Sequence, residues 1–164
     1  MAAINADPEV MRWIGKGILG NEQKTRASIE AIERIWDRDG YGLFAVEIRA
    51  TGELAGFTGL AAPDFLPEVM PAVEIGWRLG KAFWGHGIAT EAARAVLRFG
   101  LVDRGLERIV SIAQIGNDAS PRIMQKLGMH LERETVDPSC DRPVVVYEIT
   151  RSEYVAAQQR SSAG

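Results

Sequence analysis

One stretch of the chain concentrates groups that could do chemistry: Leu79-Gly80-Lys81-Ala82-Phe83-Trp84-Gly85-His86-Gly87-Ile88-Ala89-Thr90, set between a strand-like and a helix-like segment. Backbone amides at the start of a helix lack intrahelical partners and sit at the positive end of its dipole. Gly85 and Gly87 carry no side chain, so a phosphate could approach those amides closely. The plainer alternative is a turn that needs glycine for its positive φ. Among phosphate loops, the Walker string G-x-x-x-x-G-K-[ST] is absent. The dinucleotide fingerprint G-x-G-x-x-G is nearly matched by Gly85, Gly87 and Thr90, with Thr in place of the third Gly. That fingerprint belongs to an all-parallel βαβ unit, whereas a hairpin precedes the loop here.

Other reactive side chains are sparse. His86, His130 and Cys140 follow no metal-ligand spacing, so no metal site is expected. Cys140, the single cysteine, follows Pro138 and Ser139 without a His nearby and reads as a bystander. A lone thiol makes no internal disulfide and fits a reducing compartment.

The elements that must position the loop follow from periodicity and punctuation. Ala6 to Ile14 is a short apolar-periodic piece ending at Gly15. Asn21 is placed to cap a helix running to about Arg38, with Ile29, Ile32, Ile35 and Trp36 on one face and Gly40 as its stop. Leu43–Ile48 and Leu54–Leu60 read as a hairpin around Thr51-Gly52. Residues 62–71 hold Pro63, Pro67 and Pro71 and predict irregular structure that exposes Phe65, Leu66, Val69 and Met70. Further strands are expected at Val73–Leu79, Arg108–Gln114, Met129–Thr135 and Val144–Thr150, with helices at Ile88–Val102, Pro121–Leu127 and Ser152–Ala157. Hairpins mixed with strand-helix-strand units give an α+β architecture. A length of 164 residues suits one domain, 1–164, with Gln158 to Gly164 as a frayed tail.

Composition narrows the function classes. A net charge of −3, with both signs mixed along the chain, is a poor match for a nucleic-acid partner. No apolar run is long enough to span a bilayer, so no membrane partner is expected. No basic-then-apolar leader opens the chain, and with the lone thiol this predicts a cytoplasmic protein.

Glu74-Ile75-Gly76-Trp77-Arg78-Leu79 followed by Trp84-Gly85-His86-Gly87-Ile88-Ala89-Thr90-Glu91-Ala92 resembles motif A of the GNAT superfamily of acetyl-CoA-dependent N-acetyltransferases. Asn117-Asp118-Ala119-Ser120 through Lys126-Leu127-Gly128-Met129 resembles its motif B. The "WGxGxATEA" form is similar to the branch of ribosomal-protein N-terminal acetyltransferases. The resemblance covers roughly residues 42–154. It implies a three-layer fold: a mixed, mostly antiparallel sheet with splayed central strands and helices on both faces. It also implies that amides of Trp84, Gly85, His86, Gly87, Ile88 and Ala89 hold the pyrophosphate of acetyl-CoA, with Thr90 at the helix start. Main-chain groups of Trp77, Arg78 and Leu79 would bond the pantetheine arm, and Asn117 would meet it from the other strand. Asn117 also reads as a plain turn former.

Acetyl transfer to an amine needs a deprotonated nitrogen, an anchored thioester and a proton for the departing thiolate. Deprotonation at pH 7 costs about 1 kcal/mol for an α-amine and about 4.6 kcal/mol for a free lysine. Glu74, on the motif A strand, is the candidate base; its other reading is a salt-bridged strand residue. Many GNAT enzymes carry a Tyr seven residues after the motif B Asn, but Met124 stands there. Ser120 is then the candidate to protonate or steady the thiolate. Ser120-Pro121 also reads as an N-cap followed by Pro at the first helical position. Tyr147 is a further candidate acid or a packed strand aromatic, while Trp77 and Trp84 flank the slot. The alternative function is a non-catalytic acyl-CoA-binding module on the same fold.

The family's first strand has no counterpart, because the N-terminal residues already look helical. Its loss leaves Leu43–Ile48 as an unpaired sheet edge. A partner subunit, a rearranged N-terminus or a truncated start are the three explanations, and a homodimer is an expected partner state.

Overall fold

The computed structural model describes residues 1–162, with side chains through 160. The piece expected at Ala6 to Ile14 is α-helical only over α2 (Pro8–Met11), and a second single-turn helix, α1 (Ala2–Asn5), precedes it. Asp7 accepts a hydrogen bond from the Glu9 amide and Pro8 opens α2, which breaks the segment in two. Helix α3 (Glu22–Asp39) lies where its signals put it. Asn21 accepts from the Lys24 amide at 2.8 Å, and Gly40 takes φ +69° to end the helix.

The strands are β1 (Leu43–Ile48), β2 (Glu53–Ala61), β3 (Val73–Leu79), β4 (Arg108–Gln114), β5 (His130–Asp137) and β6 (Arg142–Thr150). They form one sheet in the order β1-β2-β3-β4-β6-β5, every neighbouring pair antiparallel except β3–β4. No strand precedes β1 among the described residues, so β1 is a sheet edge. Helices α4 (Ile88–Arg98), α5 (Ala119–Lys126) and α6 (Arg151–Ser162) follow β3, β4 and β6. The expected helix to Val102 stops at Arg98 and widens into a π-helical turn, Phe99–Asp103. Gly100 lies against Ile109 and Leu60 there, too close for a Cβ. Helix α6 runs on through Gln158 to Ser162, where a frayed tail is expected; the last two residues lie outside the described ones.

Alternation along each strand divides the sheet into two faces. One buries Leu60, Ile75, Ile109, Tyr147 and Ile149 against Ala93, Val96 and Leu97 of α4 and Met124 of α5. The other buries Val110, Val144 and Val146 under Leu66 and Val69 of the proline-rich segment. Leu66 and Val69 are therefore core residues, which corrects their expected exposure; Phe65 and Met70 stay exposed. A short 3-10 turn, Pro67–Val69, brings Val69 back to the sheet. Trp36 of α3 packs edge-on against Phe44 and donates its Nε1–H to the Leu43 carbonyl, tying α3 to the β1 edge.

The parallel ladder between β3 and β4 is two residue pairs long, Val73↔Ile109 and Glu74↔Val110, and then the strands part. Each is held on its outer side by a longer antiparallel ladder, Gly56↔Leu79 through Ala61↔Glu74 and Arg108↔Thr150 through Gln114↔Val144. At the fork, the buried Ser111 hydroxyl donates to the Ile75 carbonyl at 2.9 Å, replacing the ladder bond lost there. Ser111→Ala leaves that carbonyl unsatisfied in the core, so it is expected to cost about 1–3 kcal/mol in urea unfolding. An unchanged midpoint would mean that another donor takes over.

Candidate active site

At the diverging end of β3, a cleft of about 390 Å³ opens between the glycine loop and the segment that follows β4. Of the residues expected to bind a cofactor, Trp77, Arg78, Leu79, Trp84, Gly85, Gly87, Ile88, Ala89, Thr90, Asn117 and Ser120 line it. His86 does not; its ring stands exposed outside the lining. Glu74 does not either, because it sits at the closed end of the fork on the face opposite α4.

The glycine loop enters α4 with both Gly85 and Gly87 at φ +79°. That backbone suits glycine regardless of any ligand. A Cβ at either position would meet no protein atom within 4 Å, so the space beside the amides is open. The turn and phosphate readings of the glycines are therefore compatible. The Trp84 indole donates to the Leu79 carbonyl at 2.9 Å, pinning the loop's ends together while the ring stays 45% exposed at the mouth. Ile75's carbonyl turns toward β4, and alternation along the strand turns the N–H and C=O of Trp77 the same way, into the gap.

On the other wall, Asn117 Nδ2 donates to Ser120 Oγ at 3.2 Å. Ser120 thus accepts from within the protein and keeps its own O–H free to donate. It is not the helix cap: α5 starts at Ala119 behind Asp118, which makes no side-chain cap bond, and Ser120 and Pro121 lie in its first turn. Met124, seven residues after Asn117, is fully buried in the main core and does not line the cleft. Tyr147 is a core aromatic whose hydroxyl accepts from Gln125 Nε2 at 3.3 Å.

One wall carried no recognisable signal in the sequence. Glu9 and the apolar Val10, Trp13 and Ile14, whose spacing marks only a packed face, close the cleft from the N-terminal side. Arg122 and Lys126, an i,i+4 pair on α5, add positive charge along the opposite wall. Lys81, at the loop's start, pairs with Glu9 across the mouth.

Glu74 keeps part of its surface accessible, yet the protein around it raises its pKa to about 8. Desolvation drives the rise, the Ile112 amide opposes it, and the negative charge of Asp137 adds to it. Asp137 is buried and accepts from the Ser139 amide at 2.8 Å and the Cys140 thiol at 3.2 Å. Burial and that carboxylate push the Cys140 pKa up, which disfavours its thiolate form. No cluster of His, Cys, Asp and Glu suited to a metal occurs among the described residues.

A sheet forked at one end, with a glycine loop delivering helix amides to the fork, is the architecture of an acetyltransferase. The family model for the acetyltransferase (GNAT) domain matches residues 1–130, and the chain belongs to that family of N-acetyltransferases. It is 33% identical to the FsC-acetyl coenzyme A-N(2)-transacetylase of Aspergillus fumigatus over 96% of this chain and 71% of that protein. The acetyltransferase (GNAT family) from Bacillus anthracis superposes with a TM-score of 0.75 at 25% identity, covering 93% of this chain and 87% of that one. The ribosomal-protein-S5-alanine acetyltransferase from Vibrio fischeri shares the fold, with a TM-score of 0.71 at 14% identity over 93% of this chain and 89% of that one.

The raised pKa of Glu74 has a signed consequence for stability. Its folded pKa lies above the unfolded value of 4.5, so between pH 4.5 and about 8 the folded state holds the extra proton. Its contribution is fully present below pH 4.5 and is lost as pH rises through about 8. Glu74→Gln is expected to flatten this slope, gaining on the order of a few kcal/mol over wild type at pH 9 and little at pH 5. Denaturant melts at the two pH values check it; equal differences at both would show that Glu74 ionises freely.

Proposed function

We propose that the chain is a single-domain enzyme that moves the acetyl group of acetyl-CoA directly to a primary amine, of a protein N-terminus or a small molecule. The carrying observation is that one cleft brings together Trp77, Arg78 and Leu79 at the diverging end of β3, Gly85, Gly87, Ile88 and Ala89 of the glycine loop, and Asn117 and Ser120 beyond β4. The pyrophosphate rests on those amides at the positive end of α4. The pantetheine arm completes the broken ladder by bonding main-chain groups around Trp77. Asn117 and Ser120 face the arm across the gap, and the free Ser120 proton steadies the departing thiolate.

Glu74 takes the proton from the incoming ammonium, directly or through a water. A base with a pKa of about 8 is matched to an α-amine at about 7.7–8.0, so the transfer is nearly balanced. A free lysine near 10.4 fits less well. The "N(2)" in the name of the Aspergillus relative is consistent with an amine of that kind as acceptor. No helix of the described residues is long and apolar enough to cross a membrane, and the lone free cysteine fits the reducing, cytoplasmic setting proposed here. The β1 edge, with β2 as its one strand neighbour, supports a homodimer; a monomer in light scattering removes that element of the reading.

Thiol release from acetyl-CoA, followed across amines that include short peptides with free N-termini, tests the reaction. Acceptor-dependent release is expected, with kcat/KM rising through a pKa of about 8. Glu74→Gln should lower kcat/KM by roughly 10²–10⁴-fold, the usual worth of a general base. Tight acetyl-CoA binding without release on any amine would favour the non-catalytic binding module instead.

A further inference from the structure

Arg78 stands apart in its charge balance. It lies on β3, on the same face as Glu74 and four residues further on, about 13 Å along the strand at the usual rise. Its guanidinium lies 5.2 Å from the centroid of the Phe57 ring. Nη1 donates to Asn5 Oδ1 at 2.9 Å. Asn5 is itself fixed, because its Nδ2 donates to Thr25 Oγ1 at 3.0 Å and its carbonyl accepts the Gly20 amide. The guanidinium is therefore held in place by a ring and a neutral amide.

Held in place is not the same as charge-compensated. No carboxylate pairs with Arg78 among the described residues, and its buried Nε has no hydrogen-bond partner. Arg108 offers the contrast: its Nε is also without a hydrogen bond, yet it lies 3.1 Å from the Glu148 carboxylate. Burial pulls the Arg78 pKa down with no anion to offset it. A partly buried, uncompensated guanidinium is a cost to the folded chain unless something negative joins it. Arg78 lines the cleft, so an anionic ligand can supply that charge.

We propose that Arg78 is a specificity residue that binds a carboxylate of the acceptor, so that the preferred acceptors carry both a free amine and a free carboxylate, as amino acids and short peptides do. This rests on the transferase reading above. The placement favours the acceptor over the cofactor. The pyrophosphate amides open α4 on one face of the sheet, whereas Arg78 points to the other, where the N-terminal turns wall the cleft. Carboxylate and phosphate are both anions a guanidinium takes in a fork, so the experiment must separate them.

The probes are alanine, Ala-Gly and Ala-Gly-Gly, each as free acid and as C-terminal amide, with acetyl-CoA affinity measured separately by calorimetry. For at least one pair, wild type is expected to prefer the acid by about tenfold or more in kcat/KM, the scale of a charge-assisted hydrogen bond. The same preference should appear as a larger rise in Tm of the CoA-saturated protein. Arg78→Met should bring the acid-to-amide ratio close to one, and Arg78→Lys, which keeps the charge and loses the fork, should leave part of it. Three results overturn the proposal: no acid preference in any pair, a preference that survives Arg78→Met, or a loss confined to acetyl-CoA affinity, which would assign Arg78 to the cofactor phosphates. A lowered Tm with an unchanged ratio would likewise make Arg78 only a pin for α1. Failure of acetyl-CoA to bind wild type would instead strike the transferase reading itself.

Discussion

Two strands that start as parallel neighbours and separate after Glu74↔Val110 set the terms for everything around them. A sheet cannot leave strand groups unpaired in its interior without cost. This one holds β3 and β4 from outside with antiparallel ladders, so each blade is rigid without the other. Ser111 closes the fork with a side-chain bond, and beyond it the ladder positions stand open. The opening is a run of unpaired ladder positions rather than a defect. An extended chain bearing amides can complete it, and the pantetheine arm of acetyl-CoA is such a chain.

The glycine loop depends on the same fork. β3 delivers the chain to the open end, and Gly85 and Gly87 turn it into α4 with the helix-start amides beside the cleft. Had β3 stayed paired with β4, those amides would meet a closed sheet. Trp84 fixes the distance across the loop through the Leu79 carbonyl, so the loop's shape does not wait for a ligand. Electrostatics then divide along the sheet. Positive potential from the α4 amides, Arg122 and Lys126 gathers at the open end. Glu74 and Asp137 put acidic groups at the closed end, close enough for one to raise the pKa of the other.

Most of the fold was legible because its signals were local. Asn21 and Gly40 bound α3, Thr51-Gly52 turns the hairpin, and alternation sets β3 and β4 to the residue. The failures came where distant contacts decide. Leu66 and Val69 sit among prolines and read as exposed, but a 3-10 turn folds them over Val110 and Val146. Ser120-Pro121 has the composition of a cap, yet the chain begins α5 earlier, behind Asp118. The site was half legible: the loop, Asn117 and Ser120 carry a recognisable order. The wall from Glu9, Val10, Trp13 and Ile14 does not, because nothing local places those turns across a fork some seventy residues later. Nor does any pattern reveal that Arg78 lacks a partner, since that depends on Asn5 and Phe57.

The proposed division of labour between the two faces would let such a fold keep its chemistry while changing its acceptor. In that reading the cofactor rests on main-chain amides and strand edges, which the loop and the ladders fix and most side chains do not affect. The acceptor would then meet side chains on the far face and on the N-terminal turns, which touch the sheet through a few bonds such as Arg78 to Asn5 and Gln114 to the Gly15 carbonyl. Changing these turns reshapes the acceptor wall without moving the fork. Glu74 belongs to neither set: it sits at the root of the fork, where burial tunes it and either wall can vary around it. As the proposed base it would serve any amine that the walls admit, leaving the charge and shape of the rest of the acceptor's body to select it.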